Sequence, residues 1–261
     1  MNDRRHAIEA RELVFSYRPG QPVLRGVSVA CGTGKLLCVL GRNGSGKTTL
    51  LRCLLGQLAP QRGAIELDGK ELRRHSRRQL ARLLAYVPQF PASAFAFTVG
   101  ELVLMGRYCH TGLMGLATER DRSVAREAMK MTGTLAFAGR TLEELSGGEA
   151  QCVMIARALA QQPSVILLDE PTSHLDIRNQ LMIYRMMQRL AHDWQMAVVC
   201  VSHDVNLAAR FADELLLMRD GEVVAAGPPP EVIRQDVLER TYDVGIDLLP
   251  AGGDVPIVVG R

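Results

Sequence analysis

The sequence lacks the marks of several protein classes. Only 5% of its 261 residues are aromatic, and no apolar run approaches the roughly 18 residues of a membrane-spanning helix. The balance of 31 basic against 28 acidic residues leaves a net charge of +3, too mild an excess to indicate nucleic-acid binding. The amino terminus has no apolar stretch of the kind found in signal peptides. These absences predict a soluble, non-exported protein that would serve a membrane only by docking to it.

Cysteine is scattered, and no two cysteines form a Cys-x-x-Cys pair. The six cysteines occupy positions 31, 38, 53, 109, 152 and 200. Most of them stand in apolar segments such as 36–40, which predicts small buried side chains in a reducing compartment. A metal site or a disulfide framework is the weaker interpretation.

A short basic run contains Arg73, Arg74, Arg77 and Arg78. It stands at the start of a predicted helix and has no interleaved aromatic residues. The run therefore predicts a solvated helix face in preference to a nucleic-acid patch, and we expect no nucleic-acid partner.

Short apolar runs alternate with helical spacing along most of the chain, a pattern typical of an α/β fold with a largely parallel sheet. Residues 7–16 and 22–30 predict two strands of an antiparallel β edge, joined by a turn at 18–20. Further strands are predicted at 35–40, 63–67, 85–87, 165–168, 196–201, 214–218 and 222–226. Helices are predicted at 48–58 and 77–84.

The character of the chain changes from about residue 90 to residue 161, where only helical patterns occur. They lie at 98–106, 119–131 and 148–161. We therefore expect an inserted helical subdomain over 90–161, in a core formed by 1–89 and 162–261. The tail is rich in glycine and proline, which predicts weak order after about residue 243.

A glycine-rich loop follows the predicted strand 35–40 and opens a helix. It matches the pattern G-x-x-x-x-G-K-[ST] through Gly41, Arg42, Asn43, Gly44, Ser45, Gly46, Lys47 and Thr48. Glycines let successive N–H groups point at phosphate oxygens, and the helix start adds its positive end. Lys47 would reach the β- and γ-phosphates, and the Thr48 hydroxyl could bind Mg²⁺. The loop predicts a nucleotide site, which Thr49 would complete.

Two adjacent acids, Asp169 and Glu170, end the buried strand 165–168. Ligands of open α/β sheets bind at this carboxyl edge. Asp169 suits an acid that holds Mg²⁺, and Glu170 could polarise an attacking water.

A second candidate anion site lies at Ser146, Gly147 and Gly148, which open the predicted helix before the acidic pair. One nucleotide does not need two anion-binding helix starts, the glycine-rich loop and this one, from the same chain. With this ordered set of motifs, the sequence over roughly 7–227 resembles the ATP-binding cassette family, the ATPase subunits of ABC transporters. The resemblance implies a P-loop ABC-ATPase core, ATP and Mg²⁺ as ligands, and a dimer in which each Ser146 loop contacts the partner's ATP.

The same resemblance implies roles for further residues. Tyr17 would stack on adenine, Gln89 would touch Mg²⁺ and the attacking water, and Glu170 would be the general base. His203 would contact the γ-phosphate, and Asp176 belongs to a loop that crosses the dimer interface. The chain departs from the commonest family pattern at Glu149, where glutamine is usual, and at His174, where alanine is usual.

Segments 100–108, 169–177 and 203–210 are similar to one branch of the family, the importers of iron chelates (siderophores and haem) and vitamin B12. The resemblance implies two copies beneath a membrane permease dimer at the cytoplasmic face of the membrane. Each copy would contact the permease through residues 90–108, and a substrate-binding protein would act indirectly.

Other machines remain open. A soluble single-cassette ATPase of translation or DNA repair is an alternative, although repair forms carry a long coiled coil and translation forms usually carry two cassettes. The ATPase of an exporter or of a metal-ion or molybdate importer is another. Glu170 and His203 together argue against a binding module without turnover.

Overall fold

The structure is a computed structural model that describes residues 6–89, 97–111, 116–250 and 255–261. Strands alternate with helices along the chain. The strands are β1 (His6–Arg18), β2 (Gln21–Gly32), β3 (Leu36–Gly41), β4 (Arg62–Leu67), β5 (Lys70–Glu71), β6 (Leu84–Val87), β7 (Val165–Asp169), β8 (Ala197–Val201), β9 (Glu214–Arg219), β10 (Glu222–Gly227), β11 (Ile246–Leu249) and β12 (Ile257–Gly260).

The α-helices are short in the first half of the chain and longer in the second. They are α1 (Lys47–Leu54), α2 (Arg77–Leu83), α3 (Val99–Met105), α4 (Glu119–Met131), α5 (Gly147–Ala160), α6 (Ile177–His192), α7 (Val205–Phe211), α8 (Pro229–Val232) and α9 (Gln235–Tyr242). Short 3-10 helices lie at Leu72–Arg74, Gly106–Cys109, Leu135–Phe137 and Leu142–Glu144. No α-helix within the described ranges is long and apolar enough to cross a membrane.

The chain divides into two compact units, one formed by 1–74 with 187–261 and the other by 75–186. The predicted insertion over 90–161 falls within the second unit, but that unit also contains β6 and β7. β6 packs against α2 and α5, and it pairs with β7, so these two strands belong with the helices of this unit. The insertion boundaries at 90 and 161 stay a prediction.

In the first unit, an antiparallel sheet has the strand order β2-β1-β4-β5. Its longest pair, β1 and β2, faces Phe15 with Leu24 and buries both side chains. Ile8 and Ala10 are buried before a register shift in β1, and Leu13 and Phe15 are buried after it, as expected of a strand with one covered face. The predicted antiparallel edge is confirmed.

The first unit also contains parallel pairs of β3 with β8 and of β3 with β9, and β10 closes on β9 as an antiparallel hairpin. Every residue of β3 and of β8 is buried. Parallel strands covered on both faces read as continuous apolar runs, which is why the sequence located them well. The sheet places the end of β3, and thus the glycine-rich loop, at its carboxyl edge.

In the second unit, β6 and β7 pair in parallel, with Leu84 opposite Val165 and Val87 opposite Leu168. Four helices of this unit begin at hydroxyl residues whose side chains accept backbone hydrogen bonds. These N-caps are Ser76 for α2, Thr98 for α3, Thr118 for α4 and Ser146 for α5. Each also forms a reciprocal bond with the side chain three residues on, a capping box that satisfies otherwise orphaned N–H groups.

A buried ion pair fixes the helices of the second unit to one another. Arg107 Nε lies 3.0 Å from Asp121 Oδ1, and Arg107 Nη1 donates to the carbonyl of Ala160 at 2.7 Å. Both charged side chains are more than nine-tenths buried. The arginine thus joins the 3-10 helix after α3, the start of α4 and the end of α5.

One expectation from the sequence is wrong. The first helix ends at Leu54 instead of residue 58, because Gly56 adopts a left-handed φ of 68° and its N–H bonds the carbonyl of Cys53. In the tail, whose weak order stays a prediction, β11 and β12 pair as an antiparallel hairpin that the sequence did not predict. Asn206 supports this hairpin by donating to the Val258 carbonyl at 3.0 Å and accepting from the Val258 N–H at 2.8 Å.

Other expectations fare better. Five of the six cysteines are buried and Cys109 is partly exposed, and burial raises the pKa of the Cys31 thiol to about 12. The basic residues Arg73 to Arg78 lie on an exposed segment, as predicted. Arg78 nevertheless donates to the backbone carbonyls of Cys109 and Thr111, so this arginine is also a structural contact.

Candidate nucleotide site

The glycine-rich loop runs from the last residue of β3 to the first residue of α1. Gly41, Gly44 and Gly46 adopt positive φ values of 145°, 81° and 102°. A Cβ on Gly41 would lie 2.1 Å from the backbone oxygen of Met218, so no other residue fits there without moving β9. The backbone conformation therefore depends on glycine at the places where the pattern requires it.

Lys47 is buried and its ammonium lies over the loop. Nζ donates to the carbonyl of Gly41 at 2.7 Å and to that of Arg42 at 2.9 Å. The N-cap of α1 is Gly46, which has no side chain to satisfy the first N–H groups of the helix. An ammonium beside a helix start whose N-cap is glycine fits the charge of a phosphate chain.

Tyr17 lies at the surface of the same unit, with its side chain 55% exposed. Its hydroxyl is 3.3 Å from Thr49 Oγ1, and its ring packs edge-on against Phe15 with centroids 4.9 Å apart. Thr49 follows Thr48 in the first turn of α1, which is also where the loop ends. An exposed aromatic ring held by the phosphate-loop helix can stack on a base.

The acidic pair lies at the end of β7, as the sequence predicts. Asp169 is the last residue of this buried strand and is itself buried, and the Tyr86 hydroxyl donates to its Oδ2 at 3.4 Å. Glu170 has a left-handed φ of 50°, which is uncommon for a residue with a side chain and recurs at functional sites. The amide Nε2 of Gln89 donates to Glu170 Oε2 at 2.8 Å. The structure thus brings together two of the predicted catalytic residues.

Ser146, Gly147 and Gly148 lie at the start of α5 in the second unit. Ser146 is the N-cap, and its exposed hydroxyl lies 2.7 Å from Glu149 Oε2. A Cβ on Gly148 would lie 2.5 Å from Cγ of Asn179, and one on Gly147 would lie 3.4 Å from the Leu175 side chain. The glycines therefore let α6 and the loop before it approach the serine.

Asp176 caps the start of α6 by accepting the Asn179 N–H at 2.8 Å. The loop before it is bound to the acidic pair, because the Ser173 hydroxyl donates to the Glu170 carbonyl at 3.0 Å. His174 in this loop has a left-handed φ of 64°. The predicted interface loop is thus tied to the predicted general base.

His203 is exposed and stands between β8 and α7 in the first unit. The N-cap of α7 is Asp204, which accepts the Leu207 N–H at 2.8 Å. The first unit therefore contains Tyr17, the phosphate loop and His203. The second contains Gln89, Asp169, Glu170, Ser146 to Gly148 and Asp176.

Several contacts of the site were missed by the sequence. Tyr86 reaches Asp169 only because β6 pairs with β7 in parallel, and no local spacing signals this. Arg42 lies 3.4 Å from Asp243 at the end of α9, and burial raises the pKa of the neighbouring Tyr242 to about 12. Residues 90–96, the first part of the predicted permease contact, lie outside the described residues.

The sequence pattern of a known family, described as ABC transporter, matches residues 24–173. Hemin import ATP-binding protein HmuV of Burkholderia thailandensis is 40% identical over 255 residues, which cover 91% of this chain and 94% of that protein. Cobalamin import ATP-binding protein BtuD of Halobacterium salinarum is 40% identical, with 91% of this chain and 60% of that protein covered.

Among solved structures, an ABC transporter of the metal-chelate type in an inward-facing conformation superimposes with a TM-score of 0.87. Its sequence is 30% identical, and the match covers 98% of this chain and 97% of the other. The ordered motifs, the fold and these similarities agree. The chain belongs to the ABC transporter family and is one of its ATPase subunits.

Proposed function

We propose that the chain powers an importer of an iron chelate, such as haem or a siderophore, or of vitamin B12. The catalytic part of this proposal rests on the 2.8 Å hydrogen bond from Gln89 to Glu170 at the end of β7, next to Asp169. The similar proteins named for hemin and cobalamin import support the choice of cargo.

In this proposal ATP is bound mainly by the first unit. Tyr17 stacks on adenine, and backbone N–H groups of the glycine-rich loop from Gly41 to Gly46 surround the phosphates. Lys47 moves its ammonium from the loop carbonyls to the β- and γ-phosphates, where it neutralises charge. Thr49 supports Tyr17 through the 3.3 Å contact of their hydroxyls.

Three predicted site residues offer the oxygen ligands that Mg²⁺ prefers. Thr48 would supply a hydroxyl oxygen, Asp169 a carboxylate oxygen and Gln89 its amide oxygen. Because Gln89 Nε2 faces Glu170, Oε1 is the amide atom that points elsewhere. Mg²⁺, when bound, would spread the charge of the phosphate oxygens.

Glu170 accepts the proton of the attacking water while Gln89 holds its carboxylate in place. His203 donates a hydrogen bond to the γ-phosphate as it passes to water. The remaining chemistry is positioning and charge stabilisation, as in other phosphoryl transfers.

The working unit is a dimer of this chain that encloses two ATP molecules. Ser146, Gly147 and Gly148 of each copy contact the ATP of the other, and Asp176 lies in the loop that crosses between them. The dimer docks on a permease dimer at the cytoplasmic face of the membrane, and a substrate-binding protein delivers the cargo to the permease. Nucleic acid is not a partner.

Glu170→Gln tests the catalytic assignment. The amide cannot accept a proton, so ATP turnover should fall at least about 100-fold while ATP binding remains and an ATP-dependent dimer accumulates on a sizing column. Glu222→Gln, at an exposed position of β10, is the matched control and should hydrolyse ATP normally. A Glu170→Gln protein that stays monomeric and turns over normally would overturn the assignment.

Co-purification tests the transport assignment. A tagged chain is expressed in its native cell, the membranes are gently solubilised, and the bound proteins are identified by mass spectrometry. A multispanning permease is the expected partner, and Ser146→Arg should abolish the ATPase activity of the complex. Recovery of ribosomes or DNA-repair proteins instead would favour the soluble ATPase.

A further inference from the structure

Glu149 forms three hydrogen bonds with Ser146, the serine of the second candidate anion site. Its Oε2 accepts the Ser146 N–H at 2.8 Å and the Ser146 hydroxyl at 2.7 Å, and its own N–H donates to Ser146 Oγ at 3.4 Å. Ser146 is exposed at the start of the fourteen-residue helix α5, so this cluster lies where an approaching ligand would meet it.

The chemistry of these groups fixes the direction of the hydroxyl. An ionised carboxylate only accepts hydrogen bonds, so the single proton of the Ser146 hydroxyl points at Glu149. The pKa of Glu149 is lowered by the Ser146 hydroxyl, then by the Ser146 N–H, and the carboxyl is therefore ionised at neutral pH. The hydroxyl cannot donate to a phosphate oxygen until it turns away from Glu149.

The other capping boxes of the same chain show how a negative charge on the capping side chain affects the hydroxyl of the N-cap. Where the residue three positions after the N-cap is acidic, the N-cap hydroxyl donates a hydrogen bond to its carboxylate. These pairs are Thr98 with Glu101 at 2.8 Å, Thr118 with Asp121 at 2.6 Å and Thr141 with Glu144 at 3.1 Å.

The capping box of α2 has glutamine instead. Ser76 N–H donates to Gln79 Oε1 at 2.8 Å, and Gln79 N–H donates to Ser76 Oγ at 3.2 Å. Between these two residues, both within the described part of the chain, the Ser76 hydroxyl does not donate to the Gln79 amide. Glutamine thus caps the helix without holding the hydroxyl proton. Charge-assisted hydrogen bonds are about twice as strong as neutral ones, which accounts for the difference.

We propose that Glu149 is a positioning residue that sequesters the Ser146 hydroxyl until the nucleotide of a second copy displaces it. The inference rests on the dimer in the proposed function and deepens it. Glu149 raises the nucleotide concentration at which the dimer closes, because each closure must break a charge-assisted bond. Glutamine at this position would keep the helix cap and lower that concentration.

The test measures dimerisation of the full chain by light scattering, with Mg²⁺ and the non-hydrolysable analogue AMP-PNP as the probe. Glu149→Gln should lower the half-saturating concentration of AMP-PNP about three- to tenfold. The affinity of the monomer for a fluorescent ADP should not change, because Glu149 acts on the nucleotide of the partner. A purely structural role would not separate these two affinities.

Glu144→Gln, in the capping box of the 3-10 helix Leu142–Glu144, is the matched control. It makes the same chemical change in nearly the same geometry and should leave dimerisation unaltered. The double variant Ser146→Ala with Glu149→Gln tests the route through the hydroxyl. Since Ser146→Ala has no proton to release, Glu149→Gln should have little further effect in that background.

The outcomes separate this inference from the proposed function. If Ser146→Ala weakens dimerisation but Glu149→Gln leaves it unchanged or weaker, the role of Glu149 is overturned and the dimer stands. Equal effects of Glu149→Gln with and without Ser146→Ala would overturn the route through the hydroxyl. If the unsubstituted chain does not dimerise with AMP-PNP, the proposed dimer and the role of Glu149 both fail.

Discussion

The two helix starts that the sequence assigns to phosphate binding are built in opposite ways. In the first unit, α1 begins after Gly46, an N-cap that has no side chain to accept a hydrogen bond from the first N–H groups. In the second unit, α5 begins at Ser146 and is capped by that residue together with Glu149. One start is open and relies on backbone conformation, whereas the other is covered by its own carboxylate.

In the proposed function, this difference lets α1 bind the chain's own nucleotide and lets α5 contact the partner's nucleotide only when the dimer closes. An uncapped helix start is ready for an anion, and Lys47 adds a positive charge to it. At the start of α5, the Glu149 carboxylate already accepts the hydrogen bonds of Ser146, so a phosphate must displace it. The glycines follow the same division: Gly41 faces backbone atoms, and Gly148 faces a side chain that can move.

The largest effect is expected at the open start, from Gly41→Ala. The new Cβ would lie 2.1 Å from the Met218 oxygen at a φ of 145°, so β9 must shift. We expect a loss of about 4 kcal/mol of unfolding free energy from strain and overpacking, with loss of ATP binding. Chemical denaturation and calorimetric titration with ATP measure the two effects. Gly44→Ala, with no atom within 4 Å of the new Cβ, should cost only about 1 kcal/mol.

Asp121→Asn tests the start of α4, where the capping carboxylate has a structural role and no proposed ligand. Asp121 caps α4 with Thr118 and also pairs with the buried Arg107. Loss of the charge should reduce the unfolding free energy by about 2–3 kcal/mol, because Arg107 keeps its charge without a carboxylate. Glu119→Gln, at an exposed position of the same helix, should change it little. Equal stabilities of the two variants would contradict the structural role.

The same carboxyl makes stability depend on pH. Hydrogen bonds from the Thr118 hydroxyl and N–H, and then Arg107, lower the pKa of Asp121 from 3.8 to about 2. The unfolded chain therefore binds this proton more readily, so the contribution is complete above about pH 5 and is lost as pH falls toward 2. Urea unfolding at a series of pH values should show a steeper acid decline for the unsubstituted chain than for Asp121→Asn. Parallel curves would contradict this origin of the slope.

The smallest effect is expected at the covered start, from Gly148→Ala. The new Cβ would lie 2.5 Å from Asn179 Cγ, but this side chain can rotate away, so we expect a cost of about 1 kcal/mol. Asn179→Ala in the same protein should remove most of that cost. Thermal unfolding of the single and double variants gives the coupling. A cost as large as that of Gly41→Ala would show that the second unit is as rigid here as the first.

The sequence predicted the parts of the fold that depend on local pattern. The runs that form β3, β7 and β8 are continuously apolar because both faces of these strands are buried. It did not predict β11 and β12, because glycines and prolines surround these short strands and obscure their pattern. Their hairpin is also supported by Asn206, which is distant in the chain. The end of α1 was also misplaced, because Gly56 terminates the helix through its backbone conformation.

For the site, the sequence identified the phosphate loop and the acidic pair, because each depends on consecutive residues at a strand end. It did not identify the contact of Tyr86 with Asp169 or the proximity of Gly148 to Asn179. These depend on the register of β6 against β7 and on how α5 and α6 approach, which are distant in the chain.

By itself, then, the sequence determined the family. It also located the glycine-rich loop and the acidic pair to which phosphate and magnesium binding are assigned, because glycine conformation, charge and short spacing are local properties. Only the tertiary structure decided which helix start is open and which is covered, and which side chain holds Glu170. Those properties depend on the direction of hydrogen bonds and on burial, which arise when distant segments pack.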